Sequence, residues 1–178
     1  MRKIFLLILL LPLTFQSFAQ QRYSKQWILK AAGGMNVSSS GGVGELGLEY
    51  VFSRRSSLQA SVFYNRNNYS CAIEEKIKVD NIGGYLHYSF AFMPTKPIRL
   101  ILLGGAFLAD QSVPGSAIEG VVIDAKSKTD VGLSFAGQID FSVASRLSLY
   151  LQPMINWSFV SDVDRVYFLA NLGLKVYF

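Results

Sequence analysis

The chain carries a single histidine, His87, and a serine follows it at Ser89. An imidazole can take the proton of a hydroxyl and turn it into a nucleophile, provided a third group orients the base and substrate can reach the pair. Cys71 is the only cysteine, so no disulfide closes within the chain, and one Cys with one His cannot furnish a thiolate or imidazole zinc site. It is expected to be a free thiol. Glu74, Glu75, Asp124 and Asp130 could offer carboxylate oxygens to a divalent cation. No ligand spacing supports that use, and solvated charge is the expectation. The paired glycines at 33–34, 83–84 and 104–105 do not precede Lys-Ser/Thr between a strand and a helix, as a phosphate loop requires. Relief of crowding or strand kinking is their expected role. No basic patch is interleaved with exposed aromatics, so direct nucleic-acid binding is not expected. Metal and cofactor chemistry are not assigned.

Whether His87 and Ser89 can act depends on the elements that carry them. The sequence has 178 residues, 51% hydrophobic and 16% charged, with a formal charge of +5. That is length for one domain. Arg2 and Lys3 precede the apolar run Ile4 to Leu13, and Ser17-Phe18-Ala19 offers small residues around a cleavage point. Residues 1–19 therefore read as a cleaved secretory signal peptide, and 20–178 as the mature domain. No cysteine follows the cut, which argues against a lipoprotein. The mature part has no apolar run of about 20 residues that could span a bilayer as a helix.

The apolar residues recur at every second position. From Val166 to Phe178, the set Val166, Phe168, Ala170, Leu172, Leu174, Val176 and Phe178 alternates with Tyr167, Leu169, Asn171, Gly173, Lys175 and Tyr177. Strict period two predicts a strand, and this one has the length of about 9–11 residues that a membrane-crossing strand needs. The same rule holds over Leu147 to Ser158, Val131 to Val143, Ile82 to Phe92, Leu58 to Asn65, Glu45 to Phe52 and Gln26 to Asn36. Ile98 to Asp110 is apolar on both faces and supplies one more, making eight. The expected fold is all-β: an eight-stranded antiparallel up-and-down transmembrane β-barrel.

The connections alternate in length. Ser53–Ser56, Met93–Pro97 and Ala144–Arg146 are short, while Asn68–Val79 and Gln111–Lys128 are long and polar. Short turns on the side of both termini match the periplasmic side of an outer-membrane barrel. A bulge is expected at Pro153, which cannot donate to a ladder. Trp27, Tyr50, Phe52, Phe90, Phe92, Tyr177 and Phe178 are expected in one interfacial girdle, and Tyr64, Phe107, Trp157, Phe159 and Phe168 in the other. A soluble barrel would turn its apolar face inward. The polar face here is rich in Gly, Ala and Ser, which suits a narrow lumen better than a solvated exterior.

By this alternation Lys30, Glu45, Glu49, His87, Asp140 and Lys175 face the lumen, and Arg99, on the strand that is apolar on both faces, is expected there as their companion rather than by alternation. Charges in a low-dielectric interior should pair. Eight strands leave room only for side chains, so a salt-bridge plug is expected ahead of an ion path.

The ending resembles the terminal assembly signal of outer-membrane barrels: Asn171 is followed by Gly173, Val176 and a final Phe178. That resemblance implies insertion by the barrel assembly machinery into the outer membrane of a Gram-negative bacterium, among outer-membrane lipid, with both termini periplasmic. More broadly, the chain resembles the small OmpA/OmpX-like barrels. More narrowly, it resembles the TraO family of conjugative transposon proteins in Phe18-Ala19-Gln20-Gln21-Arg22, the strand Lys25-Gln26 to Gly34-Met35, Gly84-Tyr85 to Phe90, Leu102 to Ala106, Val122 to Lys126 and Leu147 to Trp157. It lacks the arginine-rich stretch associated with the family's seventh strand. The likeness implies a structural or interaction component of a conjugative DNA-transfer apparatus, with other transfer proteins as partners. The residues alone fit a general surface barrel for adhesion or envelope integrity equally well. His87-x-Ser89 also resembles the His-x-Ser pair of lipid A deacylase barrels, but alternation points both residues into the lumen, away from lipid, so no enzyme is expected.

Overall fold

The structure, a computed structural model, describes residues 24–70, 76–92, 98–112, 128–160 and 165–178. The expected signal peptide, Cys71, Glu74, Glu75 and Asp124 lie outside them. Eight strands follow one another: β1 (Gln26–Asn36), β2 (Gly41–Val51), β3 (Ser56–Ser70), β4 (Lys76–Ala91), β5 (Ile98–Ser112), β6 (Lys128–Ala144), β7 (Leu147–Ser158) and β8 (Val166–Tyr177). Each pairs antiparallel with the next, and β8 closes on β1 through pairs such as Lys30 with Lys175. Closure leaves no unpaired edge, the condition for strands surrounded by lipid.

Alternation sorts the side chains to two faces. Val62 (64% exposed), Ile82 (65%) and Leu172 (62%) lie on the outside, whereas Gln59, Asn65 and Gln152 are wholly buried inside. This is the inverse of a water-soluble barrel, and it places on the exterior the apolar side chains that a bilayer covers. The near end of the barrel holds the ends of β8 and β1 and the tight connections 52–55 and 145–146. In the first, Ser53 Oγ accepts the backbone N–H groups of Arg55 (3.3 Å) and Ser56 (3.0 Å). At the far end, the turn between β1 and β2 places Ser40 at φ 51°.

Three expectations need correction. Most of the stretch 68–79 is strand rather than loop, because β3 and β4 continue pairing through Asn67 with Val79 and Asn68 with Lys78. Asn67, Asn68 and Lys78 are polar whichever face they take, so hydropathy does not register the strands there.

The second concerns the bulge. On the β8 side register runs unbroken through Pro153, which pairs with Ala170. On the β6 side the pairs of Pro153 and Gln152 drop out and the ladder resumes in the same register, and the shift falls instead between Ser142 and Ala144, beside the two-residue turn. Outward residues of β7 direct their N–H toward β6, in phase with Phe159 just past its end, whose N–H donates to the carbonyl of Val131 (2.9 Å). Proline's missing donor therefore faces β6 opposite Gly137, where an added β-carbon would meet nothing within 4 Å. The ring has room without an inserted residue.

The third concerns the girdles. Tyr177 (2% exposed) and Phe107 (2%) point into the lumen. Trp27 against Tyr50 (ring centroids 4.8 Å apart) and Phe52 against Tyr88 (6.1 Å) line the outside of the near end, and Trp157 against Phe159 (5.9 Å) the far end.

Candidate functional site

Among the described residues, it is the lumen where strand alternation brings charged side chains from many strands together. At its near end Ile28, Val51 and Tyr177 form a small apolar cluster. Next to it, the Arg99 guanidinium donates to Ser148 Oγ (2.8 Å) and to the Tyr177 hydroxyl (2.5 Å), lies 3.7 Å from Asp140, and sits 5.3 Å from the centre of the Tyr177 ring. Asp140 is shared: Lys175 Nζ reaches it at 3.3 Å and reaches Glu49 at 3.0 Å. Glu49 also accepts from the Ser57 hydroxyl at 2.6 Å.

Lys30, from β1, has different partners. Its Nζ donates to Gln59 (2.7 Å), Gln152 (3.3 Å) and Gln138 (3.5 Å), and lies 4.8 Å from the centre of the Tyr150 ring. Gln59 in turn donates to Glu45 (3.4 Å), which also accepts from Asn171 (3.2 Å), while Gln138 bonds Asp140. The six charges of this near half of the lumen, Lys30, Arg99, Lys175, Glu45, Glu49 and Asp140, thus stand three against three, and each is at most 4% exposed. Desolvating six charges is costly, and paired geometry with hydrogen-bonded relays is what offsets it. The relay glutamines were not singled out in the sequence. Their signal was available: Gln59, Gln138 and Gln152 all occupy inward positions on strands flanking a charge.

Toward the far end the filling changes character. Phe63 stacks on Tyr85 (centroids 4.3 Å, 26°), Phe107 meets Tyr85 and Tyr167, and Met154 and Leu169 join the same apolar cluster. The Tyr85 hydroxyl accepts from Asn156 at 2.9 Å. Beyond these, Asp130 is 1% exposed and accepts from Ser158 and from Gln111 (3.3 Å). It belongs to the lumen rather than to a solvated outer loop.

His87 is fully buried and lies against Tyr85 (centroids 5.1 Å, 16°), and neither of its ring nitrogens makes a hydrogen bond to a described residue. The Ser89 hydroxyl bonds Ser57, not His87. Base and hydroxyl are neighbours on one strand without the contact that nucleophile activation requires. Of the terminal residues, Asn171 and Gly173 face the lumen, Val176 is half-buried, and Phe178 is 71% exposed on the outer face.

On the exterior, just beyond Tyr64 of the apolar band, Arg66 grips Asp80 with two bonds (2.7 and 2.9 Å) and lies 5.8 Å from the Tyr64 ring centre. The Arg66 guanidinium holds the Asp80 carboxyl below the usual range, and the carboxylate raises the Arg66 pKa in turn.

No protein-family model matches the chain, and no curated protein matches it. Solved structures do. The N-terminal β-barrel domain of Pseudomonas aeruginosa OprF superposes with a TM-score of 0.63 at 10% identity, over 88% of this chain and 100% of that one. Neisserial surface protein A gives 0.61 at 19% identity, over 87% and 98% of the two chains. The outer membrane protein OprG of Pseudomonas aeruginosa gives 0.63 at 8% identity, over 90% and 99%. At such identities the likeness is one of architecture. The chain has the fold of the OmpA/OmpX-like eight-stranded outer-membrane β-barrels.

Proposed function

We propose that the protein is a structural and interaction component of a Gram-negative outer membrane, inserted by the barrel assembly machinery with both termini periplasmic, and that it serves a conjugative DNA-transfer apparatus. The observation that carries the first part is the filled lumen: three buried cations lie among the buried carboxylates Glu45, Glu49 and Asp140, and glutamine and tyrosine side chains occupy the space between them. A barrel filled in this way works through its rims and loops rather than by passage through its centre. Connections of four and two residues at the near end support a periplasmic placement of that end. The assignment to DNA transfer rests on the sequence likeness to TraO proteins.

The test is affinity capture of the tagged protein from outer membranes in mild detergent, followed by mass spectrometry. Co-purification of other transfer proteins is expected. Recovery of the barrel alone, under conditions where a known transfer complex survives, would replace this reading with that of a general surface barrel.

A further inference from the structure

The described charges are divided unequally between the two rims. At the near end Lys25, Arg54, Arg55 and Arg146 are all exposed. No exposed Asp or Glu accompanies them among the described residues of that end. The nearest carboxylates, Glu49 and Asp140, are buried and bonded to Lys175. The far rim is mixed: the cations Arg66, Lys78, Lys128 and Arg165 stand there beside Asp80 and Asp110, and Arg66 is paired with Asp80. We propose that the near-end rim binds the headgroups of anionic phospholipids.

Three observations favour lipid over a soluble acidic partner. The cations are spread around the circumference: Lys25 precedes β1, Arg54 and Arg55 join β2 to β3, and Arg146 joins β6 to β7. A ring suits the lipid surrounding a barrel, whereas a compact ligand needs cations converging on one patch. They also stand next to the near-end girdle: Lys25 is two residues from Trp27 and Arg54 two from Phe52, and both aromatics are on the outer face. Trp and Tyr mark headgroup depth. Finally, turns of four and two residues are too short to lift a side chain far from that depth. A basic side chain near an anionic surface strengthens association by roughly fivefold. The inference rests on the orientation proposed above, in which this rim meets the phospholipid inner leaflet.

The protein, extracted from outer membranes, is placed in nanodiscs of equal phosphatidylglycerol and phosphatidylethanolamine, and the lipid retained after detergent exchange is quantified by mass spectrometry. Enrichment of phosphatidylglycerol several-fold over phosphatidylethanolamine is expected, falling at least fivefold in the variant K25Q/R54Q/R55Q/R146Q and partially in R146Q alone. The far-rim variant R66Q/K78Q should behave as the parent. Circular dichroism and heat-modifiable gel migration confirm that each variant is folded. Equal retention of the two lipids, or enrichment that survives the fourfold change, overturns the proposal, as does saturable binding of a soluble acidic protein that displaces the lipid. Orientation is scored separately by membrane-impermeant thiol labelling of R146C/C71S on intact cells. Labelling there refutes the periplasmic placement whatever the nanodisc result.

Discussion

The ring of Tyr150 lies across Gly173 on the adjoining strand. The two are register partners, and a β-carbon on Gly173 would come within 2.5 Å of Tyr150 Cζ and of the Ala31 carbonyl oxygen. Tyr150 is wholly buried and lies under both Lys30 and Lys175. Gly132 stands in the same relation to the Phe107 ring. A large inward ring on one strand is accommodated because its neighbour has no side chain, so Gly173 has a packing reason independent of any recognition by assembly machinery.

Gly173→Ala should therefore destabilise the folded barrel by about 1–3 kcal/mol, the usual cost of overpacking. The loss should appear in urea unfolding after unassisted refolding into lipid vesicles, where no machinery is present. Tyr150→Ala in the same chain should recover part of it. An unchanged midpoint for the single variant would return Gly173 to a role in recognition alone.

Period-two alternation disclosed seven of the strands and the inward set Lys30, Glu45, Glu49, His87, Asp140 and Lys175, because each register position has only two faces to choose between, while the fifth strand and Arg99 on it carried no such signal. It did not disclose how those residues pair. Lys30 is served by three glutamines rather than by carboxylates alone, and Tyr177 turned inward to Arg99 although its type suggested a girdle. Which inward residues meet depends on the stagger between strands that are not sequence neighbours, and on ring orientations that no local pattern encodes. Pro153 misled for a related reason: its missing donor interrupts the β6 ladder without inserting a residue, and whether an interruption becomes a bulge depends on the partner strand.

Asp140 is the hinge of the lumen network, in contact with Lys175, Arg99 and Gln138. Its removal leaves two buried cations with fewer counter-charges. Asp140→Ala should cost about 3–5 kcal/mol. A double variant that also removes Lys175 should be less damaging than the sum of the two single changes, because contacting residues are not additive. Guanidinium unfolding midpoints measure both, and strict additivity would show the contacts to be energetically idle.

The Arg66–Asp80 pair predicts a pH dependence confined to acid. Arg66 lowers the Asp80 pKa in the folded state, so the pair's stabilisation is present above the unfolded carboxyl value of about 3.9 and is lost as pH falls through the lower folded value. The difference in unfolding midpoint between parent and Asp80→Asn should be constant from pH 8 to about 5 and shrink below about 4. It should be small throughout, because the Arg66 side chain is 52% exposed and solvent screens the pair. A difference that grows toward acid would contradict the assignment.

His87 provides the sharpest separation of chemistry from packing. A catalytic base must hold a proton acceptor toward its hydroxyl partner; here Ser89 is bonded to Ser57, and among the described residues neither imidazole nitrogen has a hydrogen-bond partner while the ring stacks on Tyr85. A buried polar group without partners carries its desolvation cost uncompensated, and an apolar group of similar shape removes that cost. His87→Phe should therefore leave the barrel as stable as the parent or more so, whereas His87→Ala should weaken it by opening space beside Tyr85 and Gly105. Lipid A from cells expressing either variant should have the same acyl pattern by mass spectrometry as lipid A from cells expressing the parent. Loss of an acyl-chain modification in both variants, with Phe folding normally, would mean that His87 acts on lipid through a conformation in which it leaves the Tyr85 ring and reaches the membrane face.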